Sequence, residues 1–247
     1  TTWPVWMFGE QPAVESESYV TVLDEVGGRL TQVGQVGGLG KGERIYAVRF
    51  IGDIGYVVTF RQVDPLYTVD VSDPAKPRVR GELKIPGYSA YLHPVGEDLL
   101  LGVGQDATEA GGTVGTQLSL FDVSDIDNPR QLHKRTLGEG SSSSVEFDHH
   151  AFLYWPASRL AVIPLDEYGR NGQHFAGAIG FRVDRESGIT EVGRVQHEPA
   201  HGWRPSIDRS LVVGERLFTT SMLGLRTSAL DTLSGQAWVP FPQPAGG

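Results

Sequence analysis

One turn motif, present twice, constrains this chain more than any other feature. Residues 67–77 read YTVDVSDPAKP and residues 119–129 read SLFDVSDIDNP. Both carry D-V-S-D-x-x-x-P at the end of an alternating apolar run, and Asp70 and Asp122 stand 52 residues apart. Alternation buries one face of a strand. The strand then stops, because Asp and Ser side chains bond nearby backbone N–H groups and proline fixes φ in the turn.

Weaker copies follow the same plan. Residues 19–24 (YVTVLD) lead into GGRLTQVGQV, residues 179–184 (IGFRVD) into RESGITEVGRV, and residues 228–231 (SALD) into TLSGQAWVPF. Anchoring the copies at Asp24, Asp70, Asp122, Arg182 and Asp231 gives spacings of 46, 52, 60 and 49 residues. Upstream of the last four anchors lies a second strand pair, at residues 46–60, 90–104, 151–165 and 210–222. Each reads strand, polar turn with Gly or Ser, strand, which is the hairpin signature. A repeat of roughly 40–50 residues holding four strands fits a β-propeller blade. A β-sandwich accounts for the strand count but not for the in-register return of the turn.

The expected fold is therefore all-β: a β-propeller segment of about four complete four-stranded antiparallel blades plus a partial first one. The units run over residues 1–42 (partial), 43–86, 87–144, 145–205 and 206–242. The first unit has the last two strands, and residues 1–8 read as part of another. Insertions between the second and third strands, at residues 105–116 and 166–176, are polar and Gly-rich, as exposed loops should be. Four units and a fraction read as part of a longer ring.

Composition agrees. There are 32 Gly and 15 Pro among 247 residues, well above the roughly 12% of average usage, which leaves little room for long helices. The net charge is −9, with no basic stripe for nucleic acid. No run approaches the roughly 20 apolar residues of a membrane helix. The absence of cysteine excludes a disulfide framework, a thiolate metal site and a cysteine nucleophile. The chain starts at Thr1 without the basic flank and apolar run of a signal peptide. The expectation is that processing or cloning removed what came before.

Residues 42–77, 85–104 and 118–125 resemble the secreted bacterial and archaeal proteins that contain a C-terminal β-propeller domain. Residues 207–221 (IDRSLVVGERLFTTS) look like that family's last blade, so the resemblance covers nearly the whole chain. It implies a propeller, export or attachment to the cell surface, and a longer parent with more blades upstream. It implies no reaction, because the family is defined by fold. The third unit departs from the pattern: Arg182 stands at the anchor, and residues 148–156 (DHHAFLYWP) are its own.

Several residue groups invite chemistry. His197-Glu198-Pro199-Ala200-His201 spells H-E-x-x-H, but zincin chemistry needs a helix there and Pro199 forbids one. It reads as a polar loop leading into the last unit. Asp148, His149 and His150 adjoin; on a strand only Asp148 and His150 share a face, so these two are the metal candidates. Asp122, Asp125 and Asp127 lack the Gly and Glu of a calcium loop and read as turn caps, like Asp70 and Asp73. Residues 37–42 (GGLGKG) and 141–144 (SSSS) read as loops, the second linker-like. Trp3, Trp6, Trp155, Trp203 and Trp238 read either as filler between packed sheets or as a carbohydrate platform, and only Trp203, in a polar loop, is a candidate for the second. Arg49 alternates with apolar neighbours and Arg61 ends the run VVTFR; a buried arginine needs a partner, and of the nearby Asp53 and Asp64 the second is expected to pair with Arg61.

The segments leading into the innermost strands place Arg44, Ser89, His149 and Asp208 at equivalent positions around the axis. Either they face water at a channel mouth, or they converge on a pocket for a small polar ligand or ion. No catalytic triad and no cofactor motif is present. Three functions stay open: a non-catalytic extracellular binding or scaffold module, an enzyme or ligand site at the axial channel, and a structural piece whose activity lies in missing N-terminal blades. The partners expected are that N-terminal half or a second copy, and an extracellular protein or glycan. Nucleic acid and a membrane span are not expected.

Overall fold

The computed structural model describes residues 16–60, 64–108, 112–169, 174–200 and 202–242. They form eighteen strands, with no α-helix among the described residues. A leading hairpin, β1 (Ser18–Val26) and β2 (Arg29–Leu39), stands as a two-stranded sheet. Blade 1 is β3 (Arg44–Ile51), β4 (Ile54–Phe60), β5 (Asp64–Asp70) and β6 (Arg78–Ile85). Blade 2 is β7 (Tyr88–Pro94), β8 (Leu99–Ala107), β9 (Thr113–Asp122) and β10 (Arg130–Thr136). Blade 3 is β11 (Leu153–Trp155), β12 (Leu160–Tyr168), β13 (His174–Asp184) and β14 (Gly188–Val195). Blade 4 is β15 (Arg209–Val213), β16 (Arg216–Ser221), β17 (Gly224–Ala229) and β18 (Gly235–Pro240). Strand order in every sheet follows chain order, and all pairings are antiparallel.

The second and third strands of blades 1 to 3 are apolar or small at nearly every position, because both of their faces are covered. Tyr56, Val58, Leu66 and Ile85 of blade 1 pack on Leu92, Leu100 and Phe121 of blade 2. Leu101, Val103, Leu118 and Leu120, on the other face of blade 2, pack on Ala161, Ile163, Ile179 and Phe181 of blade 3. Leu160, Val162 and Ala178 meet Ile207, Leu217 and Leu233 of blade 4. Val20, Val36 and Leu39 of the leading hairpin lie on Val57, Tyr67 and Val69 of blade 1. No core cluster among the described residues joins blade 4 back to the hairpin.

Glycines in fourth strands set the spacing between blades. A Cβ on Gly81 of β6 lands 2.5 Å from the Ile126 carbonyl and 2.7 Å from Pro129 Cδ, in the next blade's turn. Gly193 of β14 meets the Thr232 carbonyl at 2.7 Å in the same way, and Gly34 of β2 meets Pro74 and Pro77. The leading hairpin is therefore the outer half of a blade, with β1 as a third strand and β2 as a fourth.

The D-V-S-D turns are capped and then cross-linked. Asp70 accepts from the Ser72 backbone N–H (3.0 Å) and hydroxyl (2.6 Å), and its other oxygen takes Arg78 and Arg80. Arg80 grips Asp127 of blade 2 with two bonds of 2.7 Å. Asp122 accepts from Ser124 N–H and pairs with Arg130 and with Arg185 of blade 3. In blade 3 the cap is Asp184, not the residue at position 182. Its carboxylate accepts from the Glu186 and Ser187 N–H groups and pairs with Arg159, while Arg182 donates to the Ser158 carbonyl. The anchor thus moves by two residues, which is why position 182 tolerates an arginine.

Blade 3 also begins differently from the sequence expectation. Residues 149–151 form a 3₁₀ turn, so the first strand starts at Leu153 and has three residues. The Asp148 side chain accepts from the His150 N–H and starts that turn instead of a strand.

Candidate functional site

In a sequential antiparallel sheet, the connectors between blades and the loops joining second to third strands leave at one edge. The D-V-S-D turns leave at the other. The turn edge is occupied by the ion pairs above. The connector edge carries the candidate chemistry.

The connector into blade 3 is pinned along its length. Ser141 accepts the Thr116 N–H, and Ser142 exchanges two backbone hydrogen bonds of 2.9 Å with Asp166. Ser143 donates to the Pro164 carbonyl at 2.6 Å, and the Val145 side chain is fully buried. Glu146 accepts from Tyr88 (3.2 Å) and Gln105 (2.5 Å) of blade 2. Asp148 pairs with Arg209 of blade 4 at 2.8 Å. Residues 141–144 are thus structural, not a linker: Ser141 and Ser143 are buried because their hydroxyls close hydrogen bonds between two blades. One large apolar side chain in this fixed segment is left out of the packing. Phe147 is 83% exposed, beside a recess of about 230 Å³ lined by Ser142, Ser143, Ser144, Pro164, Leu165 and Ser206.

Beside this segment, five rings from the first strands of blades 2 and 3 and the turn before β11 form one cluster. Tyr91 lies 4.8 Å from His149 and 5.0 Å from Phe152, and His93 lies 4.9 Å from Phe152 and 5.6 Å from Tyr154. Tyr91 Oη and His93 Nδ1 are 3.0 Å apart, and Tyr154 donates to the Val95 carbonyl. Burial, with the charge of Arg49 in second place, holds the His93 pKa down to about 4. At neutral pH this imidazole is uncharged and hydrogen-bonded, a packing group. Arg49 is half-buried near Tyr91 and His93; Arg61 and the Asp64 side chain lie outside the described residues.

The H-E-x-x-H segment forms no helix. His197 is fully buried, with Nδ1 2.7 Å from Ser221 Oγ and Nε2 2.8 Å from Thr219 Oγ1, and Trp238 stands edge-on to it at 4.7 Å. Its pKa is also held down to about 4, chiefly by burial and then by Arg226. Glu198 points away to pair with Arg226, and His201 lies outside the described residues.

Of the four channel-mouth residues, Arg44, His149 and Asp208 are exposed. Ser89 is buried, with its hydroxyl over Gly102 of its own sheet. Asp148 and His150 do lie together, 3.5 Å apart, but Asp148 is already paired with Arg209. Among the described residues no three His, Asp or Glu are grouped to hold a metal ion. Asp122 and Asp127 are held by arginines and Asp125 caps its own turn. Trp203 is exposed on the connector edge, while Trp155 is half-buried against the core shared by blades 3 and 4 and Trp238 lies on His197. Trp3 and Trp6 lie outside the described residues.

Residue-by-residue reading missed Phe147. Its signal was a lone phenylalanine between a serine run and D-H-H, in a unit that departs from the repeat.

Comparisons with known proteins agree on architecture. The sequence pattern of the beta propeller domain family matches residues 1–233. An uncharacterised protein of Archaeoglobus fulgidus is 44% identical over 167 residues, covering 68% of this chain and 25% of that protein. An uncharacterised protein of Methanocaldococcus jannaschii is 45% identical over 193 residues, covering 78% of this chain and 28% of that protein. The chain therefore spans about a quarter of the length of these relatives. The crystal structure of the Myceliophteria thermophila Cps50 (Swd1) beta-propeller domain superposes with a TM-score of 0.50 at 11% identity, covering 86% of this chain and 64% of that one. At that identity the likeness concerns the fold alone.

Proposed function

The chain belongs to the beta propeller domain family, and from that premise we propose that it is a non-catalytic binding or scaffold module that holds a protein partner on its connector edge. The observation that carries this reading is Phe147, a large apolar side chain 83% exposed on a backbone fixed by neighbours from three blades. A rigid exposed aromatic loses little conformational entropy on binding, and such residues dominate interface energetics. Trp203 and Met222 are exposed on the same edge. The serine-lined recess beside Phe147 offers hydroxyls and backbone groups around an apolar anchor, the usual composition of a recognition surface. His197 is fully buried and His93 half-buried, and both are uncharged at neutral pH, which fits support of this surface rather than turnover. Export, which the sequence resemblance implies, makes the partner an extracellular protein.

The test uses the chain as bait against extracellular proteins of its source organism, followed by purification and calorimetric titration of each captured protein. Phe147→Asp should weaken a true partner by roughly thirtyfold, the effect of losing about 2 kcal/mol at an interface anchor. Lys76→Ala, in the exposed turn at the opposite edge, should leave affinity unchanged. If no captured protein distinguishes the Phe147 variant from the natural chain, the proposal fails.

A further inference from the structure

The seam between blades 3 and 4 holds a polar pocket of about 310 Å³, lined by Phe175, Arg194, Glu198, Arg204, Arg226 and Gly235. It shares no residue with the recess beside Phe147. Three arginines thus converge on one cavity, in a chain whose net charge is −9.

Each guanidinium is fixed at one end. Arg226 donates through Nη1 to the Gln196 carbonyl at 2.8 Å, and Arg204 through Nη1 to the carbonyl of the next residue, His197, at 2.9 Å. Arg194 donates through Nε to Glu191 at 2.9 Å and through Nη1 to Glu167 at 3.0 Å, and it lies over the Phe175 ring. A Cβ on Gly235 lands 2.5 Å from Arg226 Nη2, so this glycine makes room for the guanidinium. An arginine carries five N–H donors. Nη2 of all three arginines, and Nε of Arg204 and Arg226, make no hydrogen bond among the described residues.

The charges here do not balance. Glu191 is shared between Arg194 and Arg135, and Glu167 pairs with Arg194. Glu198, with a side chain 55% exposed, holds Arg226 by one contact of 3.2 Å. Arg204 has no carboxylate partner among the described residues. Four arginines therefore face three glutamates, and the surplus charge falls on the pocket.

We propose that this pocket binds a small ligand through a phosphate group, gripped by Arg204 and Arg226 with Arg194 as a third donor. Guanidinium forks match oxyanions with paired, charge-assisted hydrogen bonds. Donors arriving from three side chains suit a tetrahedral group, with oxygens on every side, better than a planar carboxylate. The volume exceeds that of a phosphate group alone, so the group is carried on a larger molecule. Glu198 is the exchangeable partner: its weak hold on Arg226 gives way to the ligand, and its charge opposes binding. The inference is independent of the partner reading.

The test is calorimetric titration of the chain with inorganic phosphate, and with acetate as the carboxylate comparison, at equal ionic strength. Phosphate should bind saturably at one site, and acetate at least tenfold more weakly. Arg204→Gln should weaken phosphate binding by roughly tenfold, the loss of a charge-assisted contact. Glu198→Gln should strengthen it severalfold, and Arg216→Gln, an exposed arginine outside the pocket, should leave it unchanged. Arg204 and Glu198 are both exposed, so neither replacement disturbs the core. Absence of saturable binding, equal binding of acetate, equal losses from Arg204→Gln and Arg216→Gln, or a Glu198→Gln variant that binds no more tightly overturns the proposal.

Discussion

Lowering the pH from 7 to 4 should remove stability in a window set by two histidines, His197 fully buried and His93 half-buried. His197 sits between the hydroxyls of Ser221 and Thr219, and His93 sits among the rings between blades 2 and 3. Burial leads in holding both pKa values at about 4, and Arg226 and Arg49 respectively add to the effect. In the unfolded chain each titrates near 6.5. Between those values the unfolded state binds a proton that the folded state does not, so stability falls as pH falls. It is complete above about pH 6.5, and the histidine contribution to the slope ends below about pH 4. For the fully buried His197 this gap corresponds to about 3 kcal/mol, and for the half-buried, more screened His93 to less. Together the two losses are a large share of the whole stability of many domains, about 5–15 kcal/mol. The carboxylates act in a different window. Burial works against ionisation of Asp122, but hydrogen bonds from Arg185 and Ser124 outweigh it and keep its pKa below the usual range. Its stabilisation is present above about pH 4 and is lost only as the pH falls further.

Urea unfolding followed by tryptophan fluorescence, at half-unit steps from pH 7 to pH 4, measures this slope. His197→Gln should lower stability at pH 7 by about 1–3 kcal/mol, because two buried hydroxyls lose a partner shaped for them. It should also remove about half of the pH dependence between 6.5 and 4, and His93→Gln should remove most of the remainder. If both single variants keep the full slope of the natural chain, the assignment of the window to these histidines is refuted.

Gly81→Ala should destabilise by about 1–3 kcal/mol, because its Cβ lands 2.5 Å from the Ile126 carbonyl of the next blade, whereas Gly112→Ala meets nothing nearer than 3.5 Å and should change little. Thermal unfolding of the two variants side by side checks the contrast. Leu211 and Val213 lie on the face of β15 opposite Val212, which packs against blade 3, and both are exposed. Light scattering should therefore show concentration-dependent association of the natural chain and a monomer for Leu211→Lys/Val213→Lys. A natural chain that stays monomeric at high concentration would count against an uncovered blade face.

The architecture was legible because repetition averages out local ambiguity. A single strand–turn–strand reading at residues 46–60 is weak, but four in the same phase with the D-V-S-D turns fix the strand order. Legibility stopped where a residue's role depends on its neighbour in the adjacent blade. Arg182 took the anchor by alignment, yet Asp184 holds the two backbone N–H groups that define a cap. The serines at 141–144 have a linker's composition, and only the facing Pro164 and Asp166 backbone turns them into a brace. His197 read as part of a polar loop, and hydroxyls on β16 two residues apart made it a buried packing group.

The two edges of the blade stack divide the work of the chain. At the turn edge, an arginine of one unit answers an aspartate of the next: Arg80 to Asp127, and Arg185 back to Asp122. These charges are already matched across the seam, and altering one disturbs the contact between two blades. The connector edge obeys no such repeat. Its loops differ in length from unit to unit, and its most exposed aromatic side chain belongs to the unit that departs furthest from the pattern. A seam must recur wherever two blades meet, so its residues repeat and announce the fold. A recognition surface is needed once, and it escapes a reading built on recurrence. The same reasoning locates Phe147: the third unit could give up its full first strand for a capped turn because Glu146, Asp148 and Ser143 hold the connector from three directions. Replacing Glu146 by alanine should therefore loosen the segment without touching Phe147, and weaken partner binding less than Phe147→Asp does. Equal losses from both variants, measured by the same titration, would mean that the brace rather than the ring makes the contact.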